Sequence, residues 1–328
     1  MKLAKSEDVL TDYSLVLILE EAVQTYHPEY LTNLFTVFPQ LSHLPTESIF
    51  MAIIIRNLQV LKVIVNNRIQ DDLFNINSDG LTPFDLAARK DFWQAIHIMA
   101  RAFKKLLINI YTNAMRTSIM SNSLRTFTSL MTEINGIGPF NVAVSKMTII
   151  SFFINALDIG NLEIVKLLLF NSPSDILSCV ELEGPFGQFN DAKSTYFNPI
   201  FHAIKQDYLD GFLAFINYYG MEILNFRDNY SRTPLLMASI CGNANIVRII
   251  AALDSKLILH TDLRGNNALH IAIKNLDDPI SFIKEVLFLD FDWDQENDLG
   301  ESAVDILSEL PNISLENLSV VYNKYIQK

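Results

Sequence analysis

Along residues 228–251, "DNYSRTPLLMASICGNANIVRIIA", apolar positions recur with the period of a helix. Leu235, Ala238 and Ser239 fall at i, i+3 and i+4, so they share one face of a short helix. Thr233–Pro234 supplies its start, since a threonine hydroxyl caps free amides and a proline in the first turn needs no donor. Gly242 supplies its end, because glycine takes a positive φ without strain. Ile246, Val247, Ile249 and Ile250 then form the apolar stripe of a second helix, antiparallel to the first. A helix pair of this kind leaves apolar surface on both sides, and only like units stacked against it bury that surface.

The pattern recurs along the chain. Anchored on one small residue per unit, it passes through Ala22, Ala52, Ala87, Ala156, Ala203, Ala238 and Ala272, with Leu307 in the last unit. Most steps lie close to a period of about 33 residues. The step from Ala87 to Ala156 is about twice that, which predicts a degenerate unit near 110–135; the step from Ala156 to Ala203 is one period plus an insertion. Helix pairs are predicted over 48–66, 82–101, 151–170, 198–217, 233–252, 267–288 and 302–325. Arg56, Asp91 and Asp207 stand where glycine would end the first helix, which predicts turns there that are either strained or differently shaped. Asn267–Ala268 and Ser302–Ala303 replace Thr–Pro, and Ser48–Ile49 and Phe152–Phe153 lack the proline.

The segments "DGLTPFDLAARKDFWQAIHIMA" (79–100), "DNYSRTPLLMASICGNANIVRIIA" (228–251), "DLRGNNALHIAIKNL" (262–276) and "ALDIGNLEIVKLLLFN" (156–171) carry a family resemblance. Over residues 14–325 the chain resembles the ankyrin-repeat family. The resemblance implies an all-α solenoid of stacked helix pairs with short β-turn fingers. Residues 1–45 would be a degenerate N-terminal capping repeat, and 46–171 repeats with the degenerate unit near 104–147. Residues 172–197 would be an insertion, and 198–328 further repeats with a C-terminal cap. The family binds proteins through its finger tips and the groove lined by first helices. His270 occupies the family's usual histidine, which hydrogen-bonds between loops, and Cys241 the place of a small buried residue.

Composition narrows the setting. Half the residues are hydrophobic and 19% are charged, which disfavours disorder. Cys179 and Cys241, the only cysteines, make neither a disulfide framework nor a four-ligand zinc site, so a reducing, cytoplasmic compartment is expected. No apolar run is long enough for a membrane span, and no Sec signal opens the chain. Residues 131–328 hold 13 basic and 25 acidic residues, which accounts for the whole net charge of −12. That excess disfavours nucleic acid and anionic lipid and favours a basic protein partner; a monomer is expected.

Candidate chemistry is sparse. "DFDWDQENDLGE" (290–301) places Asp290, Asp292, Asp294 and Glu301 as in a calcium loop, but Gln295 replaces the turn glycine, and a finger explains the same residues. The six histidines lack metal-ligand spacing, and no phosphate loop, nucleophile elbow or kinase signature is present. No catalytic residue, cofactor or metal is therefore expected. The function implied is protein–protein interaction, with Trp93, Phe186, Phe189, Tyr196, Tyr230, Phe291 and Trp293 as aromatic anchors and Asp292 and Asp294 steering a partner. Two alternatives stay open. "HLPTESIFMAIII" (43–55) resembles an F-box opening, which would make residues 43–66 part of a ubiquitin-ligase adaptor; and an enzyme could use the 172–197 insertion with Cys179. The irregular array and the tail with Glu301, Glu309 and Glu316 are similar to ankyrin-repeat effectors secreted by intracellular bacteria of the Legionella and Coxiella type. That similarity implies type IV secretion into a host cell without a Sec signal, and a host-derived partner.

Overall fold

The structure is a computed structural model that describes residues 11–25, 27–43, 47–67, 75–102, 108–177 and 198–310. Its helices are short because the sequence starts and stops each one. The hydroxyls of Thr82, Thr233 and Ser302 and the amide oxygens of Asn161, Asn198 and Asn267 accept backbone amides at helix starts. The chain divides into two compact units, Met1–Ile164 with Asn171–Pro173, and Val165–Phe170 with Ser174–Lys328.

In the first unit the helices are α1 (Asp12–Gln24), α2 (Pro28–Val37), α3 (Ser48–Ile54), α4 (Leu58–Asn67), α5 (Pro83–Arg89), α6 (Trp93–Ala102), α7 (Ile108–Met120), α8 (Leu124–Ile137), the single turn α9 (Phe140–Ala143) and α10 (Lys146–Ile159). One row runs α1 on α3, α3 on α5, α5 on α7 and α7 on α10; a second runs α2 on α4, α4 on α6 and α6 on α8. Helices α3 and α4 lie within these rows and pack on α1, α2, α5 and α6 rather than forming the separate bundle that an F-box would require; residues 44–46 lie outside the described residues. Helix α11 (Leu162–Asn171) straddles the division between the units. The second unit continues with α12 (Pro199–Lys205), α13 (Leu209–Tyr219), α14 (Pro234–Cys241), α15 (Ala244–Leu253), α16 (Ala268–Asn275), α17 (Pro279–Val286) and α18 (Ala303–Ser308). Here α12, α14, α16 and α18 make one row, and α15 packs on α17. Among the described residues there is no strand, and no helix is long and apolar enough to cross a membrane.

Every anchor residue of the sequence pattern is buried, from Ala22 to Leu307. The degenerate unit is a regular helix pair, α7 and α8, whose anchor is Ser118: this hydroxyl is fully buried and satisfied by the Met115 carbonyl at 2.7 Å. A polar residue in an Ala position hid the unit. Helix α10 begins at Lys146 under a Ser145 cap, five residues before the predicted start, so the Phe152–Phe153 pair is helix interior rather than an entry.

Six first helices end in one geometry. The residue four after each anchor has a positive φ: Arg56 55°, Asp91 49°, Asn122 55°, Gly160 74°, Asp207 52° and Gly242 73°. In each case the next amide returns to the anchor carbonyl, as from Asn57 to Ala52, Phe92 to Ala87, Ser123 to Ser118 and Asn243 to Ala238. The non-glycine residues therefore hold a left-handed conformation that L-residues resist. Three of them make bonds glycine cannot. Arg56 donates to the Lys90 and Asp91 carbonyls (2.7 and 3.1 Å), Asp91 accepts from the fully buried Thr126 hydroxyl (2.8 Å), and Asn122 accepts from the Asn161 amide. Each ties one helix pair to the next.

Candidate protein-interaction surface

Between the second helix of one pair and the first helix of the next, the chain makes one turn four times over: 77–81, 228–232, 262–266 and 297–301. The first residue is Asn or Asp. Its side-chain oxygen accepts the amides two and four residues on, at 2.9–3.1 Å. Its own amide donates to the fifth residue's carbonyl. The fourth residue takes a positive φ, which explains Gly80, Gly265 and Gly300; Ser231 takes the same conformation at 61°.

The last three turns form a continuous row. The Leu263 amide donates to the Tyr230 carbonyl at 2.9 Å, and the Asp298 amide to the Arg264 carbonyl at 3.0 Å. The approach is close enough that a Cβ on Gly265 would lie 2.9 Å from Asp298 Oδ1 and 3.1 Å from its amide nitrogen. Buried polar groups fix the row from beneath. Asn297 donates to Asn266 at 3.0 Å, and Asn267 to the Asp292 carbonyl at 3.0 Å. His270, fully buried, donates through Nε2 to the Glu301 carbonyl at 2.9 Å, while its Nδ1 lies 2.7 Å from the Asn267 side-chain oxygen and 3.3 Å from the Asn267 amide nitrogen. Burial, aided by Lys274, lowers the His270 pKa from its ordinary value. Glu301 itself accepts from Lys274 Nζ (2.7 Å) and Asn297 (3.1 Å), and its pKa is lowered first by the Lys274 hydrogen bond. The Asp228 carboxylate takes both Arg232 Nε (2.7 Å) and an Arg232 terminal nitrogen (2.6 Å); burial pushes it up to about 6 against the Arg232 and Tyr230 amides. The Arg232 guanidinium lies 4.4 Å from the Tyr230 ring centre.

What this scaffold presents is apolar and charged. Leu263 and Leu299, on neighbouring turn tips, are 65% and 77% exposed. Their chain neighbours Arg264 and Asp298 are exposed as well, as are Asp292, Asp294 and Glu296 on the segment leading into the last turn. By contrast α14 is buried almost all round, as its apolar sequence "PLLMASIC" dictates, so the exposed surface of this row is the tips and not that helix.

A scan against protein-family models finds no match to the chain, and a search of curated proteins finds none either.

The predicted anchors divide. Phe291 is a correction: it is only 3% exposed and belongs to the core, because the loop after α17 turns this ring inward while Asp292 on its C-terminal side faces out. Trp293 is half-buried, and Asp292 and Asp294 are exposed, with Asp292 Oδ1 accepting the Asp294 and Gln295 amides. Tyr230 is half-buried beneath Arg232. Trp93 lies in the first unit, half-exposed on α6. Phe186, Phe189, Tyr196 and Cys179 lie outside the described residues. Cys241 is half-buried rather than buried, and desolvation raises its thiol pKa. The two exposed leucines escaped the sequence reading, which sought aromatics. Their signal was position: both fall inside an Asx turn, at its second or third residue.

Proposed function

We propose that the chain is a non-enzymatic protein-interaction module of the ankyrin-repeat kind, and that it holds a protein partner on the turn row of residues 228–301. One observation carries the reading: three equivalent turns, locked to one another by backbone hydrogen bonds, hold Leu263 and Leu299 out in solvent, and the segment leading into the last turn exposes carboxylates. A rigid scaffold lowers the ordering penalty of binding, and apolar side chains ringed by charge match the core-and-rim arrangement of interfaces. The acidic rim selects a basic partner and speeds its association. The supporting sequence features are the repeat period and the Thr–Pro, Gly and His positions of the family.

The test is co-purification from the cells that make the protein. The pair Leu263→Asp with Leu299→Asp should lose a partner that wild type retains, while Leu253→Asp on the exposed end of α15 should keep it. Equal retention by both variants, with helix content unchanged by circular dichroism, would move the interface off the turn row.

A further inference from the structure

A second surface lies on the outer helices of the first unit, away from the turn row in sequence and in kind. Helices α6 and α8 run side by side and leave an open cleft of 610 Å³ between Trp93 and His97 on one wall and Leu124, Arg125, Thr128 and Glu133 on the other. That volume falls in the range of ligand-sized clefts, about 300–1,000 Å³. Trp93 is 38% exposed on its rim.

The chemistry of the cleft is directional. Arg125 stands at its N-terminal end, exposed and without an ion pair among the described residues. Glu133 stands eight residues further along α8, about 12 Å at a rise of 1.5 Å per residue. One of its oxygens, Oε1, is held by His97 Nδ1 at 2.7 Å; the other has no partner among the described residues. Between these ends two of the three hydroxyl protons on the floor are committed, and the Ser129 hydroxyl is left to a partner. Thr128 donates to the Leu124 carbonyl and Thr132 to the Thr128 carbonyl, both at 2.9 Å. The backbones of α6 and α8 are satisfied within their own helices. The two helices offer a partner strand no ladder of free backbone groups to pair with, whereas a helix satisfies its own backbone and needs only side-chain complementarity.

The geometry points to this cleft as the docking site for an amphipathic helix of a protein partner. That helix carries an acidic residue facing Arg125, a basic residue seven or eight positions away facing Glu133, and a leucine or aromatic residue between them against Trp93 and the threonine methyls. The site is independent of the turn row: it uses different residues, in the other compact unit, and takes a bipolar rather than a basic partner.

A random peptide library displayed on phage and panned on the full chain tests this. Binders are then measured on wild type and on the Leu263→Asp, Leu299→Asp chain, which separates the two surfaces. Cleft binders should hold both equally and share the acid–apolar–base spacing. Their affinity should fall about tenfold or more in Trp93→Ala and in Arg125→Glu, and exchanging the peptide's acid for lysine should restore binding to Arg125→Glu. That charge-swap rescue separates direct contact from misfolding. Three outcomes overturn the inference: no peptide survives on the Leu→Asp chain, survivors lack the paired charges, or survivors bind Trp93→Ala and Arg125→Glu as they bind wild type.

Discussion

Asp91 and Asp207 occupy the same place in two helix pairs, with φ of 49° and 52°, yet substitution by glycine should move stability in opposite directions. At both positions glycine removes a left-handed strain of about 1–2 kcal/mol, smaller for aspartate than for most residues. It also loosens the unfolded chain by about 0.4–1 kcal/mol. The net gain from backbone alone is about 0.5 kcal/mol. Asp207 is exposed, and its side chain accepts no hydrogen bond among the described residues, so Asp207→Gly should realise that gain. Asp91 accepts the Thr126 hydroxyl at 2.8 Å, and Thr126 is fully buried. Removing the carboxylate strands that hydroxyl at about 1–3 kcal/mol, so Asp91→Gly should be destabilising by about 1–2 kcal/mol net. Urea unfolding followed by circular dichroism measures both. The double variant Asp91→Gly, Thr126→Val should recover most of the loss, since no buried hydroxyl is then left unpaired. If both glycine variants shift the midpoint the same way, or Thr126→Val fails to compensate, left-handed residues are not retained here for the bonds they make between helix pairs.

Three further outcomes follow from the same structure. Gly265→Ala should cost about 1–3 kcal/mol, because its Cβ would press on Asp298 in a backbone already at φ 72°, whereas Gly80→Ala at φ 74° meets no neighbour and should cost only the backbone strain, about 1 kcal/mol; urea midpoints compare them. Phe291→Ala should lose about 3–5 kcal/mol as a core truncation, while Trp293→Ala, half-buried, should lose clearly less. For His270 the folded pKa lies below 6.5 and the unfolded one near it, so the unfolded chain binds the proton first and stability is lost as pH falls below about 6.5. Asp228, pushed up to about 6, acts in the opposite sense, so the His270 contribution is the difference in urea midpoint between wild type and His270→Gln from pH 7.5 to 5. That difference should shrink toward the acid end, and a constant difference would refute the assignment.

Within the described residues, which leave out 311–325 of the last predicted pair, the helix pairs were legible because their boundaries rest on local chemistry: Thr82 and Thr233 cap, Gly160 and Gly242 end, and the apolar period between them has one helical solution. The substitutions Arg56, Asp91 and Asp207 were legible as strained or differently shaped turns for the same reason. Ser118 was not, because a serine in an anchor position reads as polar surface until its hydroxyl is seen bonded to Met115. The site was less legible than the fold. Whether an aromatic ring in "DFDWDQ" faces in or out depends on how the loop after α17 lies against its neighbours, and no local period sets that, so Phe291 was misplaced. Leu263 and Leu299 carry no composition signal; only their position in an Asx turn marks them. The cleft between α6 and α8 depends on Trp93, His97, Arg125 and Glu133 meeting across about 35 residues of chain, a register that the period of about 33 residues permits but does not specify.

Photo-crosslinking asks whether a protein partner sits on the turn row of residues 228–301. A benzophenone amino acid is placed at 263, at 299 and, as a control, at 253, and the full chain is irradiated in the cells that make it. The account predicts one shared protein adduct from positions 263 and 299 and none from 253. Adducts confined to 253, or none from the two tips while wild-type levels of folded protein are present, would contradict it.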